Sequence, residues 1–195
     1  MIPHVVAHDH PDLPRLIEAA LETGQTLIFP TDTIYGIGGN PWDEGVLNRV
    51  RSLKVRPLDR PFALHLPAVE GIDRFAQVNP RARSIVDRLL PGPYTLLLPA
   101  SEAAPPSAVM DGVVGIRIPD HPFFQSVLAG LERPMFGTSV NRSGERPLTG
   151  IEEIIERFSG VDLIVIGPIG GDESTILDLT VHPPRLVRGV RPAGL

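Results

Sequence analysis

Twenty-two prolines are spread through the 195 residues, from Pro3 to Pro192, and they constrain this chain more than any other feature. A proline ring fixes φ and removes the backbone N–H, so it stops a helix and is excluded from the middle of a sheet. Because the prolines punctuate the whole length and gather in no one linker, they predict short elements joined by stiff turns in one continuous domain over 1–195. An apolar fraction of 42% is enough for a sizeable core at this length.

Between the turns, hydrophobic spacing separates helices from strands. Leu13, Leu16, Ile17, Ala20 and Leu21 predict a helix over 12–23 with Gly24 at its end. Val46, Leu47, Val50 and Leu53 predict a second over 43–53, with Asp43 and Glu44 at the positive end of its dipole. Further helices are expected over 72–77, 80–90, 123–131 and 152–158. Strands are expected in "QTLIF", over 62–66, 94–100, 113–119 and 135–138, and in "DLIVIG", "TILDLT" and "RLVRG", with a flexible Ala/Pro/Ser stretch between 100 and 113. Helices and strands mix without strict alternation, which predicts an α/β domain with a mixed, twisted sheet flanked by helices.

Composition removes several function classes. A net charge of −5 argues against binding nucleic acid by bulk charge, so any basic site must be local. The absence of cysteine excludes disulfides, thiolate catalysis and cysteine-ligated zinc. No apolar run approaches the ~20 residues that span a bilayer, and the first ten residues lack a secretion pattern. A soluble cytoplasmic protein with no membrane partner is expected. The opening "HVVAHDH" gathers His4, His8 and His10, and is read as a frayed, solvated N-terminus in preference to a metal site.

Three polar loops break the apolar pattern, each after an expected strand: "FPTDTIYGIGG" at 29–39, "GTSVNRSG" at 137–144 and "ESTILD" at 173–178. One such loop alone is ordinary turn chemistry. Together with Lys54, Arg56, Arg60, Arg117 and Arg188 they describe a concave basic pocket for a polyanion such as a nucleoside triphosphate. Lys54 is the only lysine beside seventeen arginines, which favours a task that needs a compact, flexible ammonium. The standard nucleotide motifs do not supply this pocket: Lys54 lacks the neighbours of a Walker loop, and "GIGGNP" has Pro41 where a dinucleotide fingerprint needs glycine.

"PTDTIYGIG", "LKVRPLDRPF", "LPGPYTLLL", "VGIRIPDHP", "TSVNRSG" and "STILDLT" follow one another in an order and spacing that resemble the YrdC/TsaC family, the threonylcarbamoyl-AMP synthases, from about residue 11 to 190. The resemblance implies a YrdC-like fold and a nucleotidyltransferase that joins L-threonine, bicarbonate and ATP into threonylcarbamoyl-adenylate and pyrophosphate, for threonylcarbamoyladenosine in tRNA. It places Thr33, His65, Arg117, Ser139 and Ser174 around threonine, and Arg56, Arg60, Asn141, Thr149 and Arg188 around the nucleotide. Lys54 belongs with both, and Lys54 and Arg56 are the expected catalytic pair. Mg²⁺ is expected to travel on the ATP phosphates, with no protein ligand assigned, since turn capping accounts for Asp32 and Asp178.

The implied partners beyond the substrates are a tRNA or double-stranded RNA contact and downstream threonylcarbamoyl-transferase proteins. The chain departs from the family at Val113, where a hydroxyl is common, and at Gly189, where proline is common. The C-terminal domain of longer members is missing from the pattern, so the short form is expected. Two other readings compete with the synthase: a non-catalytic double-stranded RNA-binding module, and a carbamoyl-transfer domain of related fold.

Overall fold

The computed structural model describes residues 2–55, 61–131 and 133–195. Its strands form one mixed sheet in the order β1-β9-β2-β3-β8-β4-β7-β5-β10-β11, with β6 paired to β7. In chain order these are β1 (His4–Ala7), β2 (Leu27–Phe29), β3 (Gly36–Gly39), β4 (Ala63–His65), β5 (Tyr94–Pro99), β6 (Val109–Met110), β7 (Val113–Arg117), β8 (Met135–Ser139), β9 (Leu163–Ile166), β10 (Thr175–Asp178) and β11 (Arg185–Arg188). The helices are α1 (Leu13–Glu22), α2 (Glu44–Lys54), α3 (Ile72–Phe75), α4 (Pro80–Leu89), α5 (Ala129–Leu131) and α6 (Ile151–Arg157).

Strand alternation explains how both faces are covered. Leu27 and Phe29 of β2, with Leu163 and Val165 of β9, pack into the cluster built by Leu13 and Ile17 of α1 and by Phe123, Phe124 and Val127. Ile28 and Ile164, pointing the other way, join Val46 and Val50 of α2 and Ile154 of α6. A third cluster joins Val86 and Leu89 of α4 to β4, β5 and β7. Two helices, α2 and α4, start at side-chain caps: the Asp43 carboxylate accepts from the Val46 N–H at 3.0 Å, and Asn79 accepts from Ala82 N at 2.9 Å ahead of Pro80.

Four expectations are corrected. The N-terminus is not frayed: β1 runs parallel to β9, pairing His4 with Leu163 and Ala7 with Ile166, and Val6 is buried. The stretch expected to be flexible contains a 3₁₀ turn, Pro106–Ala108, and β6, with Ala104 and Ala108 packed into the core. The expected helix over 123–131 opens as a wider π-helix, Phe123–Leu128, and only its last turn is α5. The end of the first polar loop is β3, fully buried between β2 and β8. Glycine is required there because a Cβ on Gly38 would stand 1.8 Å from the Phe136 carbonyl oxygen, and one on Gly36 would stand 2.6 Å from the Phe29 ring.

Candidate functional site

A cavity of about 640 Å³ opens across β3, β8, β4, β7, β5 and β10, within the size range of sites for small ligands. Lys54, His65, Arg117, Ser139, Asn141, Ser174 and Arg188 all line it. The three polar loops therefore meet, although they lie well apart in the sequence.

Lys54 closes α2, and its side chain is buried, not solvated at the helix end. Its ammonium donates to the Ser139 carbonyl, to the Asn141 carbonyl at 2.9 Å and to Asn141 Oδ1 at 2.9 Å. Asn141 Oδ1 also accepts from Ser139 Oγ at 2.7 Å, while its amide donates to the Arg142 and Glu145 carbonyls. A return bond from Ser143 N to the Lys54 carbonyl at 2.8 Å completes the join between α2 and the loop after β8. Three acceptors converging on one point suit an ammonium, whereas a planar guanidinium spreads its donors. Val55 then reverses the chain in the left-handed region, with φ 51° and ψ 46°, a costly conformation for a β-branched residue.

Elsewhere in the cavity wall, Arg117 Nη2 donates to Asp32 Oδ1 at 2.7 Å, and both side chains are buried. Burial raises the Asp32 carboxyl above its usual range against the opposing pull of Arg117. Burial likewise brings Arg117 down to about 10, opposed by Asp32 and reinforced by the positive charge of Arg188. Arg188 is anchored, not swinging: Nη2 donates to the Ser174 carbonyl at 2.9 Å and to Ser174 Oγ at 3.1 Å, Nε reaches the same carbonyl, and Nη1 meets Glu173 at 2.6 Å. The glycine that follows it is a conformational need, since Gly189 has φ 88° and a Cβ there would meet Thr175 Oγ1 at 2.5 Å. Ser174 Oγ lies 3.0 Å from Thr95 Oγ1; the two hydroxyls spend one proton on each other and keep one for a ligand.

His65 pairs in register with Arg117 on the adjacent parallel strand, and its ring packs between Phe29 and Phe124. Burial, then the Arg117 charge, pull its imidazole down to about 3. A group this acidic is neutral at pH 7 and a weak proton acceptor, which favours the packing role over general-base catalysis. The shift has a signed consequence. Between pH 6.5 and about 3 the unfolded chain takes up a proton that the folded His65 refuses, so stability rises with pH by about 1.4 kcal/mol per unit in that window. His65→Phe is expected to flatten the slope by that amount in urea unfolding at pH 4, 5 and 6; an equal slope in both proteins would contradict the burial of a neutral imidazole.

Two expected site residues stand apart from the cavity wall. Thr33 is buried behind it, its hydroxyl 2.8 Å from that of Thr31, which does line the cavity. Thr149 is exposed on the segment entering α6. Arg56 and Arg60 lie outside the described residues. Residues that sequence reasoning missed are Thr31, Thr95 and the Asp32 partnership with Arg117; their partners in the wall are set by tertiary contact, and only the run of hydroxyl residues in "PTDT" signalled any of them.

Among the described residues the wall carries both signs, not basic charge alone. Asp178 binds Arg185 at 2.7 Å and caps Thr180, and burial, which pushes its carboxyl up, is outweighed by these bonds, which hold it low. Asp178, Asp32 and Glu173 thus each face an arginine, and no group of three or more potential metal-binding side chains occurs among the described residues. Val113 lines the cavity where a hydroxyl was noted as common. No helix is long and apolar enough to cross a membrane among the described residues.

Fold and cavity together define an α/β protein whose mixed sheet carries a polar, ligand-sized site on the loops at its centre. Within that class the chain belongs to the Sua5/YciO/YrdC family: residues 19–189 match the family model, described as "Telomere recombination". A threonylcarbamoyl-AMP synthase of Pyrococcus abyssi is 35% identical over 187 residues, covering 93% of this chain and 54% of the relative, so the chain spans about half the length of that protein. The structure of P. abyssi Sua5 complexed with L-threonine superposes with a TM-score of 0.86 at 33% identity, covering 96% of this chain and 57% of that one. E. coli YciO superposes equally well, TM-score 0.86, at 27% identity, over 96% of this chain and 95% of its own.

Proposed function

We propose that this chain is a threonylcarbamoyl-AMP synthase, with L-threonine, bicarbonate-derived CO2 and ATP as substrates and threonylcarbamoyl-adenylate and pyrophosphate as products. The observation that carries the reading is the convergence of Lys54, Arg117 and Arg188 with the hydroxyls of Ser139, Ser174 and Thr95 in one cavity. The P. abyssi relatives, one named for this activity and one holding L-threonine, support the same reading.

Arg117 takes the threonine carboxylate. Asp32 uses one of its five N–H groups, so a two-point face remains for a second carboxylate. The threonine amine, held by that anchor, adds to CO2 and loses a proton to give a carbamate. A carbamate oxygen then attacks the α-phosphorus of ATP, the bond to the β-phosphate oxygen breaks, and pyrophosphate leaves. Negative charge converges from carboxylate, carbamate and triphosphate, so fixed cations and preset donors lower the barrier chiefly by electrostatics and alignment. Lys54 sits where the nucleotide and carbamate meet, Asn141 and Ser139 frame it, and Arg188 with the Ser174 hydroxyl faces Arg117. Arg56 and Arg60, in the segment after Lys54, are assigned to the phosphates, Thr33 acts from behind the wall, and Thr149 is assigned to the nucleotide.

Mg²⁺ is assigned to the ATP phosphates: of the carboxylates near the cavity, Asp32, Glu173 and Asp178 are paired with arginines, and no group of three potential metal-binding side chains occurs among the described residues. The adenylate is then consumed by a transferase that modifies tRNA in the cytoplasm. Pyrophosphate release from the purified chain is expected only when threonine, bicarbonate and ATP are all present. Release indifferent to threonine, or RNA binding that falls with salt and ignores ATP and threonine, would overturn the assignment.

A further inference from the structure

We propose that Asp32 is a positioning residue, which holds the Arg117 guanidinium so that one two-point face stays available to the substrate carboxylate. Asp32 is not part of the cavity wall, so it acts through Arg117. Its Oδ1 accepts from Arg117 Nη2 at 2.7 Å, and its Oδ2 accepts from the Asp120 N–H at 3.2 Å, just past the end of β7. One carboxylate thus pins both the head of Arg117 and the backbone that follows it.

The backbone that carries this carboxylate is itself held from behind. Gly171 N donates to the Thr33 carbonyl at 2.5 Å, and Gly170 packs so closely that a Cβ there would stand 2.2 Å from the Asp32 carbonyl oxygen. His121 accepts the Phe123 N–H at Nδ1, so Nε2 carries the proton and donates to the Pro168 carbonyl at 2.9 Å. Segments 31–33, 120–121 and 168–171 therefore lock around Asp32.

Two features of Arg117 require such a holder. Its Nε–H is buried and has no hydrogen-bond partner among the described residues, a donor left for an oxygen that is brought in. Arg188 repels it, so a guanidinium released from Asp32 has no reason to keep its place. Asparagine at position 32 offers one acceptor oxygen where aspartate offers two, and its NH2 would face the donor of either Arg117 or Asp120.

This inference rests on the reading that Arg117 receives the threonine carboxylate, and the test separates the two. In the full chain, Asp32→Asn is expected to raise the L-threonine Kd by calorimetry and the threonine KM at least tenfold, with ATP affinity unchanged and kcat at saturating threonine within about threefold. The ¹⁵Nε–H resonance of Arg117, sharp in the ligand-free wild type, is expected to broaden or vanish in the variant. Should Asp32→Asn not fold, Asp32→Glu replaces it: it keeps the charge but moves the guanidinium, and it carries the same expected KM rise. A folded variant with unchanged or tighter threonine binding and an unaltered Nε–H signal overturns the positioning role. Loss of that signal in a protein whose wild type binds no threonine would leave positioning standing and remove the threonine reading.

Discussion

Lys54→Ala is expected to slow threonine-dependent pyrophosphate release by roughly 10²–10³, the effect of deleting one preorganised electrostatic stabiliser. The same change should lower stability, because the ammonium is the donor for two backbone carbonyls and the Asn141 side chain. Asn141 Oδ1 keeps the Ser139 hydroxyl as donor, while the two carbonyls lose theirs, and each buried acceptor left without a donor costs about 1–3 kcal/mol. A loss of about 3 kcal/mol would lower Tm by roughly 6–12 °C in a domain of this size. Lys54→Arg separates charge from shape. It restores the positive charge but cannot aim three donors at one converging set of oxygens, so its kcat is expected to stay well below wild type. An unchanged kcat in folded Lys54→Ala would remove this residue from the reaction and leave it a structural joint.

Arg117→Gln is expected to produce the other large effect, and for a different reason. The substitution removes the proposed anchor for threonine and strands the Asp32 carboxylate beneath the cavity. Breaking one side of a buried ion pair destabilises by about 3–5 kcal/mol, most of it from the uncompensated charge. In the double variant Asp32→Asn/Arg117→Gln the charge is gone, so Tm should recover much of that loss while kcat/KM for threonine stays down by about 10² or more. Arg117→Lys should also remain impaired, since a point charge cannot reproduce the fork. The contrary result is a double variant no more stable than Arg117→Gln alone, which would place the cost in packing rather than in the stranded charge.

Sequence patterning recovers the elements whose signal is local. The helices expected over 12–23, 43–53 and 80–90 lie within one or two residues of α1, α2 and α4, because a 3.6-residue apolar stripe and its caps are contained in the segment itself. It fails where a neighbour decides. Gly36–Gly39 has the poorest strand composition in the chain, and it is a central strand because Phe29 and the Phe136 carbonyl leave no room for side chains. His4–Ala7 becomes a strand through β9, some 160 residues on.

The site divides the same way. Lys54, the serines and the arginines stand out as residue types that break an apolar pattern, and their motif spacing points to the family. That Asp32 would be the partner of Arg117, 85 residues away, or Thr95 that of Ser174, 79 residues away, has no local signature. Thr149, matched by motif position, lies exposed and is not among the residues that line the cavity, because backbone path rather than residue type sets where it falls.

On the proposed reading, one cavity grips an amino acid beside a triphosphate. A crystal structure of the chain with L-threonine and a non-hydrolysable ATP analogue would show whether it does. The threonine carboxylate is expected on Arg117, its amine toward the α-phosphate, and that phosphate beside the positive charge of Lys54. Either ligand bound outside the wall formed by Lys54, Arg117, Ser139 and Ser174, or threonine seated with its carboxylate away from Arg117, would contradict it.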